Sequence, residues 1–196
     1  MALKLPPADL SQRELCLVGA PHTLFRISRV VYRNPFFWSR LGCNRFDPPE
    51  GRFGVLYTAE DLETCLLEVF GDRWLKTRLV SVTELTKLEV LIFSLSREVR
   101  VVDLTGRWLN RLGTDSNLFA STDYALIQEW SRRLMEHPLA RDGVCYHSHK
   151  NPKKFNYALY DTAAAKQGLR VRRSEPLADA ADLPAILDKY EVALTG

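Results

Sequence analysis

Residues 44–70, NRFDPPEGRFGVLYTAEDLETCLLEVF, decide how this chain is read. They set an arginine (Arg45), a tyrosine (Tyr57) and a glutamate (Glu68) along one segment, the glutamate inside an otherwise apolar run. Residues 54–59 read as a strand, and Leu62, Cys65, Leu66, Val69 and Phe70 then recur at helical spacing. The segment therefore predicts a strand, a turn capped by Thr58 or Glu60, and a helix. Glu68 falls beside the apolar stripe of that helix, where a carboxylate needs either a partner or a chemical task. A cation, an aromatic face and a carboxylate converging on one pocket suit a ligand with phosphates, a heterocycle and a reactive sugar. That combination describes a dinucleotide.

Upstream, TLFRISRVVY from Thr23 alternates as a strand, with Phe25, Ile27 and Val30 facing inward. Residues 35–54 are rich in Pro, Gly and Asn and predict a long loop, kept in order by its aromatic side chains. Residues 1–22 read as an arm with a short helix over residues 11–18. Downstream, strands are predicted over residues 78–84, 89–95, 99–104, 143–147, 157–160 and 169–173. A helix is predicted over residues 121–137, with Leu126, Ile127, Trp130 and Leu134 inward. Residues 178–194 predict a closing helix, started at Pro184 and packed on a main domain of residues 23–175. Strands and helices interleave irregularly, which favours an α+β fold over a doubly wound parallel sheet.

A chain of 196 residues is long enough to bury a core as one domain without metal or disulfide help. The net charge of +3 is too small to argue for nucleic acid. Arg170, Arg172 and Arg173 form the one tight basic cluster, read as a solvated strand edge. Cys16, Cys43, Cys65 and Cys145 show no CxxC spacing and fit buried free thiols in a reducing cytoplasm. The N-terminus lacks the pattern of a signal peptide, and the apolar runs fall short of the ~20 residues of a membrane span. A soluble, cytoplasmic protein is expected.

Several chemistries lack their motifs. No GxGxxG follows a strand, and neither GxxxxGK[ST] nor GxSxG occurs. Cys145, His147 and His149 alternate, but a zinc site there lacks a fourth ligand, so no metal is expected. Ser148 and its histidine neighbours face opposite ways on a strand, which disfavours a serine nucleophile with a histidine base. Glu68 has a structural alternative, an ion pair with Arg73 or Arg45.

TLFRIS, NRF, VLYTAEDLETCLLEV and VCYHSHKNPKKFNYALYD together resemble the RES-domain toxins, named for an arginine, a glutamate and a serine. The resemblance runs over residues 24–161. It implies an ADP-ribosyltransferase-like fold, a mixed β-core with surrounding helices, acting on NAD+ as substrate, with an Xre-like antitoxin protein as partner. Matched by position, Arg26 is the arginine of the opening strand, and Arg45 that of a turn usually spelled GGRWN. Tyr57 and Glu68 match the tyrosine and glutamate, Ser148 the serine, and Asn156 an asparagine before a strand. The turn reads CNRFD here and the interval to Tyr57 is longer than usual, so Arg52 competes with Arg45, and Arg40 more weakly.

The implied roles follow. Glu68 accepts the ribose 2′-hydroxyl and offsets charge as the nicotinamide–ribose bond breaks. Arg26 and Arg45 hold the pyrophosphate, Tyr57 stacks on nicotinamide, and Ser148 bonds the ribose or carboxamide. Three functions remain open: a toxin that degrades NAD+ by hydrolysis or phosphorolysis, a mono-ADP-ribosyltransferase acting on a protein, and an inactive binding module.

Overall fold

The strand and helix of the deciding segment form as β3 and α1, and the rest of the chain is built around them. The protein is described by a computed structural model over residues 5–120, 124–139 and 142–196. Its strands are β1 (Leu17–Gly19), β2 (Thr23–Arg29), β3 (Val55–Ala59), β4 (Leu79–Ser81), β5 (Leu88–Leu95), β6 (Arg100–Asp103), β7 (Gly143–His147), β8 (Phe155–Tyr160), β9 (Leu169–Pro176) and β10 (Ala193–Thr195). Its helices are α1 (Leu62–Thr77), α2 (Val82–Leu85), α3 (Gly106–Leu112), α4 (Asn117–Ala120), α5 (Tyr124–Met135), α6 (Ala163–Gly168) and α7 (Leu183–Lys189).

Eight strands form one sheet in the order β1-β6-β7-β8-β3-β2-β5-β9, and β10 and β4 pair separately in parallel. Within the large sheet only β6 and β7 run parallel. The fold is α+β with a mixed β-core, as the resemblance implies. Its central pair is unusual. β3 meets β8 over five residue pairs, but meets β2 through Phe25↔Ala59 alone. Beyond that rung the two strands part.

Side chains alternate across a strand, so the two faces of the sheet bury different sets. On one face, Phe46, Val55, Trp130, Ala158 and Tyr160 pack together over β3, β7 and β8. On the same face, Leu66, Phe70, Trp74, Val90 and Leu187 pack over β5, with Phe25 and Ile27 of β2 against them. On the other face, Leu24, Leu56, Phe93, Val101 and Leu159 form one cluster that spans both halves of the sheet. The split between β2 and β3 therefore opens between the first two clusters and is backed by the third.

α1 starts at Asp61, whose carboxylate accepts the Thr64 N–H at 2.7 Å, so Asp61 is the cap instead of Thr58 or Glu60. The helix ends at Arg78, held at φ 53°. Leu62, Cys65, Leu66 and Phe70 are buried as expected, but Val69 is 49% exposed because the helix rotates it to the rim of the split.

Elsewhere tertiary contacts override local pattern. Residues 11–18 form a single helical turn at Leu10–Gln12 and then β1, because Leu17–Gly19 pairs with the edge of β6. Val30 lies beyond the end of β2 and is 51% exposed, and Leu24 fills the core in its place. Residues 78–84 divide into β4 and α2, since β10 pairs with residues 79–81 alone. The single closing helix is a turn at Leu177–Asp179, then α7, then β10. Pro184 sits in the first turn of α7, and Glu191 at φ 54° breaks the chain away from it. The helix expected over residues 121–137 is α5, with Ile127, Trp130 and Leu134 buried, and residues 121–123 lie outside the described residues. The short helices α3 and α6 have no counterpart in the sequence reading. All four cysteines are free, but only Cys65 and Cys145 are buried, Cys43 being exposed.

Candidate active site

Where β2 and β3 part, a pocket of about 170 Å³ opens, with Arg26 and Ile27 on one side and Tyr57, Thr58 and Ala59 on the other. Cys65, Glu68 and Val69 of α1 close one wall, and Tyr146 and Asn156 close another. Register explains the assembly. Tyr146 lies opposite Asn156, Asn156 opposite Ala59, and Ala59 opposite Phe25, a single row across four strands.

The parted strands also leave backbone groups facing the gap. Val55 exchanges both its hydrogen bonds with Ser39, and Asp161 N–H donates to the Gly54 carbonyl, on the other side of the strand. Alternation from these bonds turns the peptide groups of Tyr57 toward β2. The same alternation along β2, from the Val30 N–H bond to Lys87, turns those of Ile27 toward β3. Neither residue has a partner in the β2–β3 register.

Glu68 is the centre of the pocket's polar side chains. Its Oε1 accepts from Ser148 Oγ at 2.6 Å and from Asn156 Nδ2 at 2.7 Å. Ser148 is 1% exposed and Asn156 is 5% exposed, so these two donors are fixed while the glutamate stands at the accessible rim. The sequence predicts a buried Glu68; its position at the pocket's mouth, next to Val69, keeps it exposed. Glu68 forms no ion pair among the described residues, and Arg73, one expected partner, is instead bound twice by Glu84, at 2.5 and 2.7 Å. Ser148 Oγ in turn accepts the Asn151 N–H at 3.0 Å, which fixes the turn after β7.

Tyr57 is held at its far end. Its hydroxyl donates to Asp47 Oδ1 at 2.9 Å and accepts the Phe46 N–H at 2.9 Å. Burial, with the Asp47 charge beside it, pushes the phenol well above its ordinary pKa, so it stays a donor. Asp47 is fully buried and also accepts from Ser39 Oγ and from both the backbone and side-chain nitrogens of Asn44. This network ties the long loop, and Arg45 within it, to β3.

The arginines separate. Arg26 borders the pocket, donates to the Phe37 carbonyl at 3.5 Å, and has its pKa drawn down by burial. Arg45 lies with its guanidinium over the Tyr124 ring, 5.2 Å from the centroid, close enough to Tyr146 for its charge to act on that phenol together with the opposing charge of Glu68. Neither Arg45 nor Arg52 is among the pocket's lining residues, and Arg52 contacts Glu50 and Glu136 at 3.4 and 3.5 Å. Arg40 pairs with Asp161.

Asp47, Tyr146, Thr58 and Cys65 belong to the site without any sequence signal having assigned them to it, Tyr146 excepted. Thr58 Oγ1 is buried beside the pocket with no partner among the described residues. Tyr146 had a signal, since it sits two residues before Ser148, on the strand that leads into it. The two histidines expected on one side of that strand border a separate pocket with Ser116 and Asn117, and His147 packs against Phe155 at 4.9 Å.

A split mixed sheet with a carboxylate held by two fixed donors, flanked by arginines and tyrosines, defines an α+β protein with an enzyme-like cleft. The chain matches the RES domain over residues 23–185 and belongs to that family. It is 28% identical over 116 residues to "Probable toxin y4kH" of Sinorhizobium fredii, across 59% of this chain and 89% of that protein. Its fold is similar to a chain of the M. tuberculosis MbcT–MbcA toxin–antitoxin complex, with a TM-score of 0.65 at 16% identity over 95% of this chain and 99% of that one.

Proposed function

We propose that this RES-domain protein is the toxin of a toxin–antitoxin pair and that it cleaves the nicotinamide–ribose bond of NAD+, with water or phosphate accepting the ADP-ribose. The observation that carries the reading is Glu68, whose Oε1 is fixed by Ser148 and Asn156 while no partner for Oε2 occurs among the described residues. Nicotinamide leaves as a neutral molecule from a cationic ring, so no acid is required. The barrier lies in positive charge on the ribose, which a preset carboxylate offsets without reorganising.

The fit supports the same reading. A space of about 170 Å³ takes a nicotinamide and part of its ribose, while a whole dinucleotide needs a site well above the ~300 Å³ lower range of ligand pockets. The ADP half then lies outside, toward Arg45, while Arg26 borders the space itself. A carboxamide, one donor group and one acceptor, matches the facing peptide groups of Ile27 and Tyr57. In the hydrolytic form, water adds at the ribose carbon as the bond to nicotinamide breaks, and its proton goes to solvent.

The toxin part of the reading is supported by the name of the Sinorhizobium relative and by family membership. The antitoxin partner is supported by the tuberculosis neighbour, whose structure is that of a toxin–antitoxin complex, and an Xre-like identity comes from the family resemblance. The test is incubation of the purified protein, alone and with cell lysate, with NAD+ labelled in the ADP-ribose half. Free ADP-ribose or its phosphate supports the reading. Label on a lysate protein makes the chain a transferase, and intact NAD+ with wild-type protein makes it a binding module.

A further inference from the structure

A second pocket, of about 150 Å³, runs along the C-terminal half of α1 and shares no lining residue with the Glu68 pocket. Leu67, Trp74, Leu75 and Tyr190 form its apolar wall, and Arg78 and Lys150 its cationic rim. Trp74 is 3% exposed, and its indole Nε1 is buried with no acceptor among the described residues. That nitrogen is closed to the pocket, and Trp74 contributes apolar surface to the wall.

The polar groups around it are donors. Arg78 gives Nη1 to the Tyr190 carbonyl at 2.5 Å, which occupies that oxygen. The Tyr190 hydroxyl is committed to Glu63 at 2.5 Å, and Glu63 also takes Lys189. Lys150 pairs with Asp72, whose side chain is 78% exposed, so water weakens that pair and leaves the ammonium available. Leu75 stands 74% exposed on the rim.

We propose that this pocket binds a carboxylate side chain of a partner protein, next to an apolar residue that covers Leu75. The carboxylate lies between Arg78 and Lys150, beside the apolar wall that includes Trp74. Charge complementarity argues for an acidic group, since the rim carries two cations. Size argues for a single side chain, because about 150 Å³ admits no nucleotide. The partner's being an antitoxin rests on the function proposed above; the chemistry of the pocket does not. Lys150 also lies across Gly71, with its Cγ and Cδ 3.5 Å from where a Cβ would stand, and it belongs to the turn that carries Ser148. A partner docked here thus touches the turn that fixes Glu68.

The experiment follows the indole N–H signals of the four tryptophans in a nitrogen-15 spectrum, with the Trp74 signal assigned by its loss in Trp74→Phe. The probe is acetyl-Leu-Asp-Leu-amide, with acetyl-Leu-Asn-Leu-amide as its uncharged control. The aspartyl peptide is expected to move the Trp74 signal saturably and to bind at least about tenfold more tightly than the control. Lys150→Gln, at a partly exposed position whose folding is checked by thermal unfolding, is expected to weaken the aspartyl peptide by about the same factor. Glu68→Gln is expected to bind it as the wild type does. An unmoved Trp74 signal, equal binding of the two peptides, or loss of binding in Glu68→Gln overturns the proposal. A protein that binds the peptide but leaves NAD+ intact overturns the proposed activity and not this site.

Discussion

The hydroxyl of Tyr57 and the carboxylate of Asp47 meet at 2.9 Å, so the strand that lines the pocket also holds the loop that carries Arg45. Tyr57→Phe keeps the ring and removes that link. The buried Asp47 then loses a donor and the Phe46 N–H loses its acceptor. We expect a loss of about 1–3 kcal/mol in stability, read from urea unfolding. We also expect a raised KM for NAD+ as Arg45 loses its position. Unchanged stability would mean that the loop is held by other contacts.

Glu68→Gln retains an oxygen for Ser148 and Asn156 but removes the charge. NAD+ cleavage should fall by about 10²-fold or more in kcat, with little change in the melting temperature. Ser148→Ala removes one of the two bonds that aim the carboxylate and should cost about tenfold in kcat. Turnover of Glu68→Gln at the wild-type rate would remove Glu68 from the chemistry.

Arg45 and Arg52 make opposite predictions. Arg45→Ala should raise KM for NAD+ by about tenfold or more, the scale of a lost charge-assisted bond. Arg52 faces Glu50 and Glu136 in exposed pairs, so Arg52→Ala should leave both KM and stability close to wild type. A larger effect at Arg52 would reassign the phosphate-holding role.

The Cys65 thiol stands beside the Glu68 pocket, yet burial pushes its pKa up to about 12, with Asp61 adding in the same direction. A thiol in that state is almost wholly protonated at pH 8 and a poor nucleophile. Alkylation at pH 8 followed by mass spectrometry should mark Cys43, which is exposed, and leave Cys65 and Cys145 unmarked until the protein unfolds. Early labelling of Cys65 would show the pocket to be far more open in solution.

Asp61 links α1 to the acid limit of stability. Burial works to raise its pKa, but bonds from Thr64 and Lys154 outweigh that and leave it below its ordinary 3.8. A folded value below the unfolded one means the contribution is present above about pH 3.8 and lost as pH falls through the folded value. Asp61→Asn keeps a good cap and should flatten that part of the acid limb, while Asp61→Ala should cost about 1 kcal/mol at neutral pH. Thermal unfolding of both variants between pH 2 and pH 7, roughly the range over which carboxylates titrate, measures this.

What the sequence made legible was local. Tyr57 and Glu68 lie on a strand and a helix joined by one capped turn, so their pattern carries the geometry with it. Ser148 and Asn156 stand far along the chain, and no spacing brings them to Glu68; they entered through the resemblance, and the strand register explains why they meet. Asp47 stayed invisible because its partners, Ser39, Asn44 and Tyr57, come together only when the loop folds back on β3. Arg45 and Arg52 could not be separated by pattern, since what divides them is which way a Pro-rich loop turns. The C-terminal segment misled for the opposite reason: its residues have helical spacing, but Pro184 and the pairing of β10 with β4 divide it.

The single rung between Phe25 and Ala59 has a mechanical meaning. The sheet behaves as two leaves joined by one ladder pair, with the cluster of Leu24, Leu56, Phe93 and Leu159 as the spine behind them. Parting the leaves at the front breaks about one pair of backbone bonds and the two bonds from Ser148 and Asn156 to Glu68, a net cost on the order of 2–5 kcal/mol, while the spine stays packed. The cleft can thus widen and close around a ligand as a low-energy motion, without the cooperative unfolding that opening a continuous sheet would demand.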